Sequence, residues 1–358
     1  MDGKARVSTA SSPGEPYIRA AALYGLADLV RSRGGDVAEI ALRVSIDPEA
    51  LADPDLLISF PRHGLLMEAV AAELDIPDLG LELALGIPPH FPNAGPVIFL
   101  ARPADTLGGW IERMLGYWHH HTNGYFLQLM DDAEGGTATM RMQLDRPAAA
   151  PRQQCELQLA SCCRMARVVT GQAEISAILT RFRHERPRST RLHEQFFRSE
   201  LEFGAAHDEI VFDRRHLVQP TSGGLGPPKA IFDSFVRYRI RQMSRYNQSV
   251  RTTTEIAIRA MLGSGMCSKE FIAESMGTTP GRLRRLLANN GTTFAGLLDE
   301  TRRAMACRML ARSDAPVSAI AGLLDYSSAT ALALAMKRWT GMTPSQYRGR
   351  AGPTEAPS

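Results

Sequence analysis

Three arginines within four residues, Arg282, Arg284 and Arg285, follow the pair Thr279-Pro280. A guanidinium carries a planar fork of donors that matches O6 and N7 of guanine, each good pair being worth roughly 1–3 kcal/mol of discrimination. Pro280 is a favoured first helical residue and Thr279 a good N-cap, so the arginines fall in the first two turns of a helix. Leu283 and Leu287 mark its inward face, leaving Arg282 and Arg285 outward and Arg284 further round. A second group follows downstream: Ser327, Ser328, Thr330, Lys337 and Arg338. Its hydroxyls can donate to bases or phosphate, and its two cations can neutralise phosphate.

Other residue types invite other chemistry. His119-His120-His121 suggests a metal, but consecutive side chains project about 100° apart on a helix and alternate on a strand, so three in a row do not converge on one ion. The run Tyr117-Trp118-His119 is a candidate effector pocket, with core packing as the competing reading. PTSGGLGPP, residues 220–228, lacks both the Lys-Ser/Thr and the preceding strand that a phosphate loop needs. The five cysteines have no framework spacing, and Cys162-Cys163 reads as buried helix rather than a redox sensor. No nucleophile paired with a base and no interpretable pair of carboxylates is present. No catalytic residue, metal site or cofactor is therefore predicted.

The two basic groups sit in the same kind of frame. Residues 268–291 and 317–341 read as helix-turn-helix units. Ile272, Ala273 and Met276 correspond to Ile320, Ala321 and Leu324 at an offset of 48. Leu283 and Leu287 correspond to Leu332 and Met336 at 49, one extra residue lying in the second turn. A small Ala beside Ile lets the helices cross closely, and the second helix of such a unit presents its free face to the major groove.

Upstream, residues 17–33, 37–44, 60–73, 79–85, 106–117 and 154–170 have helical periodicity, while 124–130, 138–144 and 209–212 read as strands. The reading is an α+β amino-terminal domain over 17–217, with a modest antiparallel sheet, followed by an all-α tandem helix-turn-helix domain over 231–350. Residues 218–230 are read as a linker, 231–246 as a helix beyond it, and 1–16 and 351–358 as disordered ends.

Composition agrees. The chain has 358 residues, 44% hydrophobic and 22% charged, which fits two soluble domains. No run approaches the roughly 18 apolar residues of a membrane span, and the start lacks the apolar core of a signal peptide, so a cytoplasmic protein with no membrane partner is expected. The net charge of +3 is uneven: residues 249–350 hold 14 Lys/Arg against 7 Asp/Glu, giving +7, whereas residues 1–248 carry −3. Phosphate would be neutralised where the double motif lies.

From Thr252 to Arg348 the sequence resembles the AraC/XylS family of bacterial transcriptional regulators. Gly291-Thr292-Thr293-Phe294, Leu297-Leu298, Arg302, Ala306 and Leu310 resemble the family's helix joining its two units. Lys337-Arg338-Trp339, Gly341, Pro344 and Tyr347-Arg348 resemble its closing signature. The amino-terminal part is similar to the sensing domain of a non-cupin subgroup through Thr106-Leu107, Gly124–Leu127, Phe196-Phe197, Phe203-Gly204 and Val211–Asp213. There are departures. Gly281 stands where the family often has Arg, Asp325 where it has a turn Gly, and Leu334 where Arg is common. The resemblance implies a regulator that binds a double-stranded DNA operator and is controlled by a small-molecule effector, by homodimerisation, or by both. RNA polymerase would be a partner of an activator. An enzyme domain fused to a DNA-binding module and a purely oligomerising amino-terminal domain are the rival readings.

Overall fold

The structure, a computed structural model, describes residues 16–95, 104–118, 121–144, 151–221, 249–265, 267–313 and 315–351. The amino-terminal region opens with strand β1 (Tyr17–Arg19), followed by helices α1 (Leu26–Ser32) and α2 (Val37–Arg43). Strand β2 (Leu57–Ser59) runs directly into α3 (Phe60–Glu73), and α4 (Leu79–Gly86) follows. Ser59 starts α3 by accepting a hydrogen bond from the Arg62 amide at 3.3 Å, with Pro61 in the first turn. Helix α5 (Leu107–Tyr117) starts the same way, capped by Thr106.

A five-stranded sheet comes next. It contains β3 (Tyr125–Asp132), β4 (Thr137–Leu144), β5 (Leu179–Phe182), β6 (Glu200–Phe203) and β7 (Asp208–Asp213), in the order β3-β4-β7-β5-β6. Ala138, Met140, Met142 and Leu144 of β4 alternate inward, so one face is covered. The cover includes α5 and the long helix α6 (Arg152–Thr170), while the short helix α7 (Arg191–Phe197) links β5 to β6. Near its start α6 touches α4 closely: the Gly80 amide donates to Gln153 Oε1 at 2.8 Å, and a Cβ on Gly80 would lie 2.2 Å from the Gln153 carbonyl oxygen.

Three expectations change. Tyr17–Arg19 is strand rather than the start of a helix, because Ile18 pairs with Ile58 and the Tyr17 amide donates to Asn123 Oδ1 at 2.6 Å. The sheet is mixed rather than antiparallel, since β5 and β6 run parallel with Leu179 opposite Glu200. The first residues of the expected linker belong to the domain: the Gln219 carbonyl accepts from the Leu107 amide at 2.8 Å, and the Thr221 amide donates to the Asp105 carbonyl at 3.2 Å. The helix expected over 231–246 lies outside the described residues.

The carboxy-terminal region is helical: α8 (Val250–Met261), α9 (Lys269–Ser275), α10 (Pro280–Asn289), α11 (Phe294–Arg312), α12 (Val317–Leu323), α13 (Ala329–Thr340) and α14 (Pro344–Ala351). The matched pairs of the repeat form its core. Ile272, Leu283, Leu287, Ile320, Leu332 and Met336 are all completely buried. Each contributes about 1.5–3 kcal/mol of transfer free energy.

Candidate nucleic-acid interface and sensor cavities

Helices α9 and α10 form the first unit. Ser268 and Thr279 cap them, accepting from the Phe271 and Arg282 amides at 3.2 Å each. With Leu283 and Leu287 inside, Arg282, Arg284 and Arg285 are exposed, and none forms an ion pair among the described residues. Helices α12 and α13 form the second unit, where the Ser328 hydroxyl accepts from the Ala331 amide at 3.1 Å. Ser327, Ser328, Thr330, Lys337 and Arg338 are exposed as expected. Leu334 stands among them, 68% exposed. Arg338 is tied down: it donates to Asp299 Oδ1 at 2.5 Å, while the Trp339 indole donates to Oδ2 of the same carboxylate at 2.8 Å. Asp299 thus fixes the end of α13 against α11.

Arg302 of the joining helix makes structural contacts. Arg302 donates to the Leu324 and Asp325 carbonyls at 2.8 and 3.3 Å and lies over the Tyr326 ring. Asp325 has φ of 56°, the left-handed conformation that Gly277 adopts in the first unit at 69°. Its carboxylate accepts from the Gly263 and Gly265 amides at 3.0 and 2.9 Å. The departure from the turn glycine therefore ties the second unit to the segment between α8 and α9.

A charge cluster joins the two regions. Arg19 is 1% exposed and donates to Asp55 Oδ1 at 2.6 Å. Asp53 accepts from Arg259 of α8 at 2.9 and 3.1 Å, and also from Arg308 of α11. Arg259 Nε lies 3.6 Å from Asp55. Two carboxylates of the amino-terminal region thus face two arginines of the helical region.

Between α5, α6 and the sheet lies an apolar cavity of about 50 Å³. Trp110, Met114, Met140, Cys163 and Phe212 line it, with His216 as one of its few polar neighbours. His216 Nδ1 is buried without a hydrogen-bond partner among the described residues. Burial pushes the Cys162 and Cys163 thiols up to about 12 and about 11, so both stay protonated at neutral pH.

Residues 34–221 match the family model described as the arabinose-binding domain of AraC transcription regulator, N-terminal, and residues 272–350 match that of a helix-turn-helix domain. The chain is 32% identical over 343 residues to the HTH-type transcriptional regulator VirS of Mycobacterium tuberculosis, covering 94% of this chain and 97% of that protein. The chain belongs to the AraC family of transcription regulators. This AraC-family regulator is also 24% identical over 335 residues to the ornithine utilization regulator of Pseudomonas aeruginosa, covering 90% of this chain and 94% of that one. The crystal structure of the transcriptional regulator CdpR from Pseudomonas aeruginosa aligns with a TM-score of 0.37 at 18% identity, covering 87% of this chain and 96% of that one. The chain is a DNA-binding transcription regulator with a sensing-type amino-terminal domain. No described helix is long and apolar enough to cross a membrane.

Of the three residues read from sequence as a candidate effector pocket, Trp118 alone has a described side chain. Trp118 is 4% exposed and packs with His121 and Tyr125 at ring distances of 5.0 and 6.0 Å, away from the apolar cavity. The Tyr117 side chain and His119 lie outside the described residues. The cavity lining escaped sequence reading because it comes from helices and strands scattered over a hundred residues. Asp53 and Asp55 left a signal, two acids flanking Pro54 in an apolar setting, as did Arg259 inside the run Ile256–Met261.

One buried cluster also went unread. Glu156, His184 and His193 bring one ligand-type atom each within 4.8 Å of one another. All converge on a single oxygen: Glu156 Oε1 accepts from His193 at 2.8 Å and from Arg152 at 2.7 Å, and lies 3.2 Å from His184 Nε2. Burial opposes the Glu156 charge, but the His184 and His193 hydrogen bonds with the nearby charges outweigh it and hold the carboxyl down to about 2. This is a compensated buried anion, with Arg152 where a cation would compete for the same oxygen.

Proposed function

We propose that this regulator reads its operator mainly through Arg282 and Arg285, with Arg284 on the flanking backbone. The observation that carries the reading is that these guanidiniums stand exposed, without ion pairs among the described residues, on a helix capped by Thr279. The second unit contributes differently. Leu334, one turn after Thr330, offers its methyl groups to a thymine C5-methyl, and Ser327, Ser328 and Lys337 take phosphate. Arg338 adds only the donors that Asp299 leaves free. The test compares operator and scrambled duplexes. Equal losses on both duplexes for Arg282→Ala and Arg285→Ala would overturn base reading.

The amino-terminal domain holds the effector in the cavity between α5, α6 and the sheet, and its lining favours an apolar compound. A sugar brings several hydroxyls, and each one buried without a partner costs about 1–3 kcal/mol. Three methionines among the lining residues, Met114, Met140 and Met165, let the walls adapt to a larger guest. The Asp53 cluster carries occupancy to the helical region, because it is a charged contact between the two. Homodimerisation through the amino-terminal domain and contact with RNA polymerase complete the proposal. A thermal-shift screen of apolar compounds on the full chain tests the effector class. Stabilisation by sugars alone would refute it.

A further inference from the structure

Helix α6 walls a second cavity on its opposite side. This one is an open groove of about 570 Å³, within the roughly 300–1,000 Å³ of small-molecule sites. Three guanidiniums line it: Arg164 and Arg167 one turn apart on α6, and Arg198 just after α7. None of the three forms an ion pair with a carboxylate among the described residues. Each is braced. Arg164 Nε donates to the Ile87 carbonyl at 2.7 Å, Arg167 to the Ile175 and Phe196 carbonyls at 2.8 and 3.0 Å, and Arg198 to the Ala173 carbonyl at 3.3 Å. Bracing accounts for one or two donors of the five on each guanidinium and does not require three positive charges together.

The setting is costly for a structural role. Burial and mutual repulsion lower the Arg164 and Arg167 pKa values. Arg198 sits at φ of 53°, where a non-glycine residue is disfavoured. Residues 1–248 carry −3, so the cluster is not part of a generally basic surface. Apart from Gln195 the remaining walls are apolar, with Val168, Leu192 and Leu85, the last 49% exposed.

We infer that this groove binds a small organic carboxylate, its anionic end held by Arg164, Arg167 and Arg198 and its hydrocarbon body laid against Leu85, Val168 and Leu192. The site is distinct from the apolar cavity and does not depend on the effector reading. A guanidinium matches a carboxylate in a bidentate pair, and the apolar wall distinguishes such a ligand from inorganic phosphate.

The test uses the full chain, with hexanoate, benzoate, inorganic phosphate and hexan-1-ol as probes, read by thermal shift and isothermal calorimetry. Hexanoate or benzoate should bind saturably, with phosphate at least tenfold weaker. Arg198→Gln, on an exposed side chain, and Arg164→Gln should each weaken carboxylate binding at least tenfold. Their response to hexan-1-ol, a neutral probe of the apolar cavity, should not change. Without ligand, Arg198→Gln should melt no lower than the wild type, because a like charge is removed. Binding of neither carboxylate, equal binding of phosphate, or undiminished carboxylate binding by both variants would overturn the inference.

Discussion

Replacing Asp53 by Ala removes the carboxylate that holds both Arg259 and Arg308 across the two regions. The Asp53 and Arg259 side chains are 11% and 12% exposed, Arg308 28%. Breaking a fully buried pair by deleting one partner costs about 3–5 kcal/mol. Here the loss is softened, since Arg259 keeps Asp55 at 3.6 Å and Arg308 keeps Glu49 at 3.9 Å while meeting more water. The expected cost is therefore about 2–3 kcal/mol, a shift of roughly 30- to 150-fold in the docking equilibrium. It should fall on docking rather than on either core, because the contact lies between them. Calorimetry of the full chain at neutral pH reads it: the wild type should melt in one cooperative transition, and Asp53→Ala should separate two. Arg308→Ala, made on the other side of the contact, should do the same. The double variant should cost clearly less than the sum of the singles, with a coupling of about 1–2 kcal/mol. Strictly additive losses, or a single unchanged transition in Asp53→Ala, would refute the role of this cluster in joining the regions.

Other outcomes follow from the same structure. Lys337→Ala should weaken binding of operator and scrambled duplex about equally and reduce the salt slope by roughly one unit, whereas Arg285→Ala should lose about 1–3 kcal/mol on the operator alone; titrations at several salt concentrations separate the two. Leu334→Ser should leave the melting temperature unchanged but relax preference at one thymine, as read by binding to single-base operator variants. Acid should destabilise the amino-terminal domain before its carboxylates titrate. Burial pushes His63 down to about 4 and His121 down to about 3, against about 6.5 in the unfolded chain. The unfolded state therefore binds more protons below pH 6.5, so stability present above that pH falls as pH drops from 6.5 toward 4, as denaturant midpoints would show. His63→Gln should flatten that slope by close to one proton, and an unaltered slope would remove His63 from the account.

The helical region was legible because its instructions are local. Each cap lies within three residues of the amide it serves, as Thr279 does with Arg282, and each buried position recurs at helical spacing. The amino-terminal region hides its decisive contacts. Tyr17-Ile18-Arg19 fits helical and extended patterns equally, and only pairing with Leu57–Ser59 decides between them. The strands Leu179–Phe182 and Glu200–Phe203 have four residues each, too few for a period to stand out, and their parallel pairing spans the α7 crossover. The exposed residues of α10 and α13 could be named beforehand, since exposure on a helix follows from what faces inward. The cavities could not, because a void belongs to no single segment. Asp53 and Arg259 meet across 206 positions of sequence.

The two helix-turn-helix units look interchangeable on paper, yet the Asp325 carboxylate makes them unequal. A chimera carrying a second copy of residues 268–291 in place of 316–340 would put the counterpart of Gly277 where Asp325 stands. The Gly263 and Gly265 amides would then lose their acceptor, although every apolar position had been preserved. Transplanting specificity within this chain should accordingly succeed when only the outward residues of α10 and α13 are exchanged, and fail when whole units are. An ancestral duplication that began with equivalent halves would have become irreversible once one turn was recruited to fasten its neighbour.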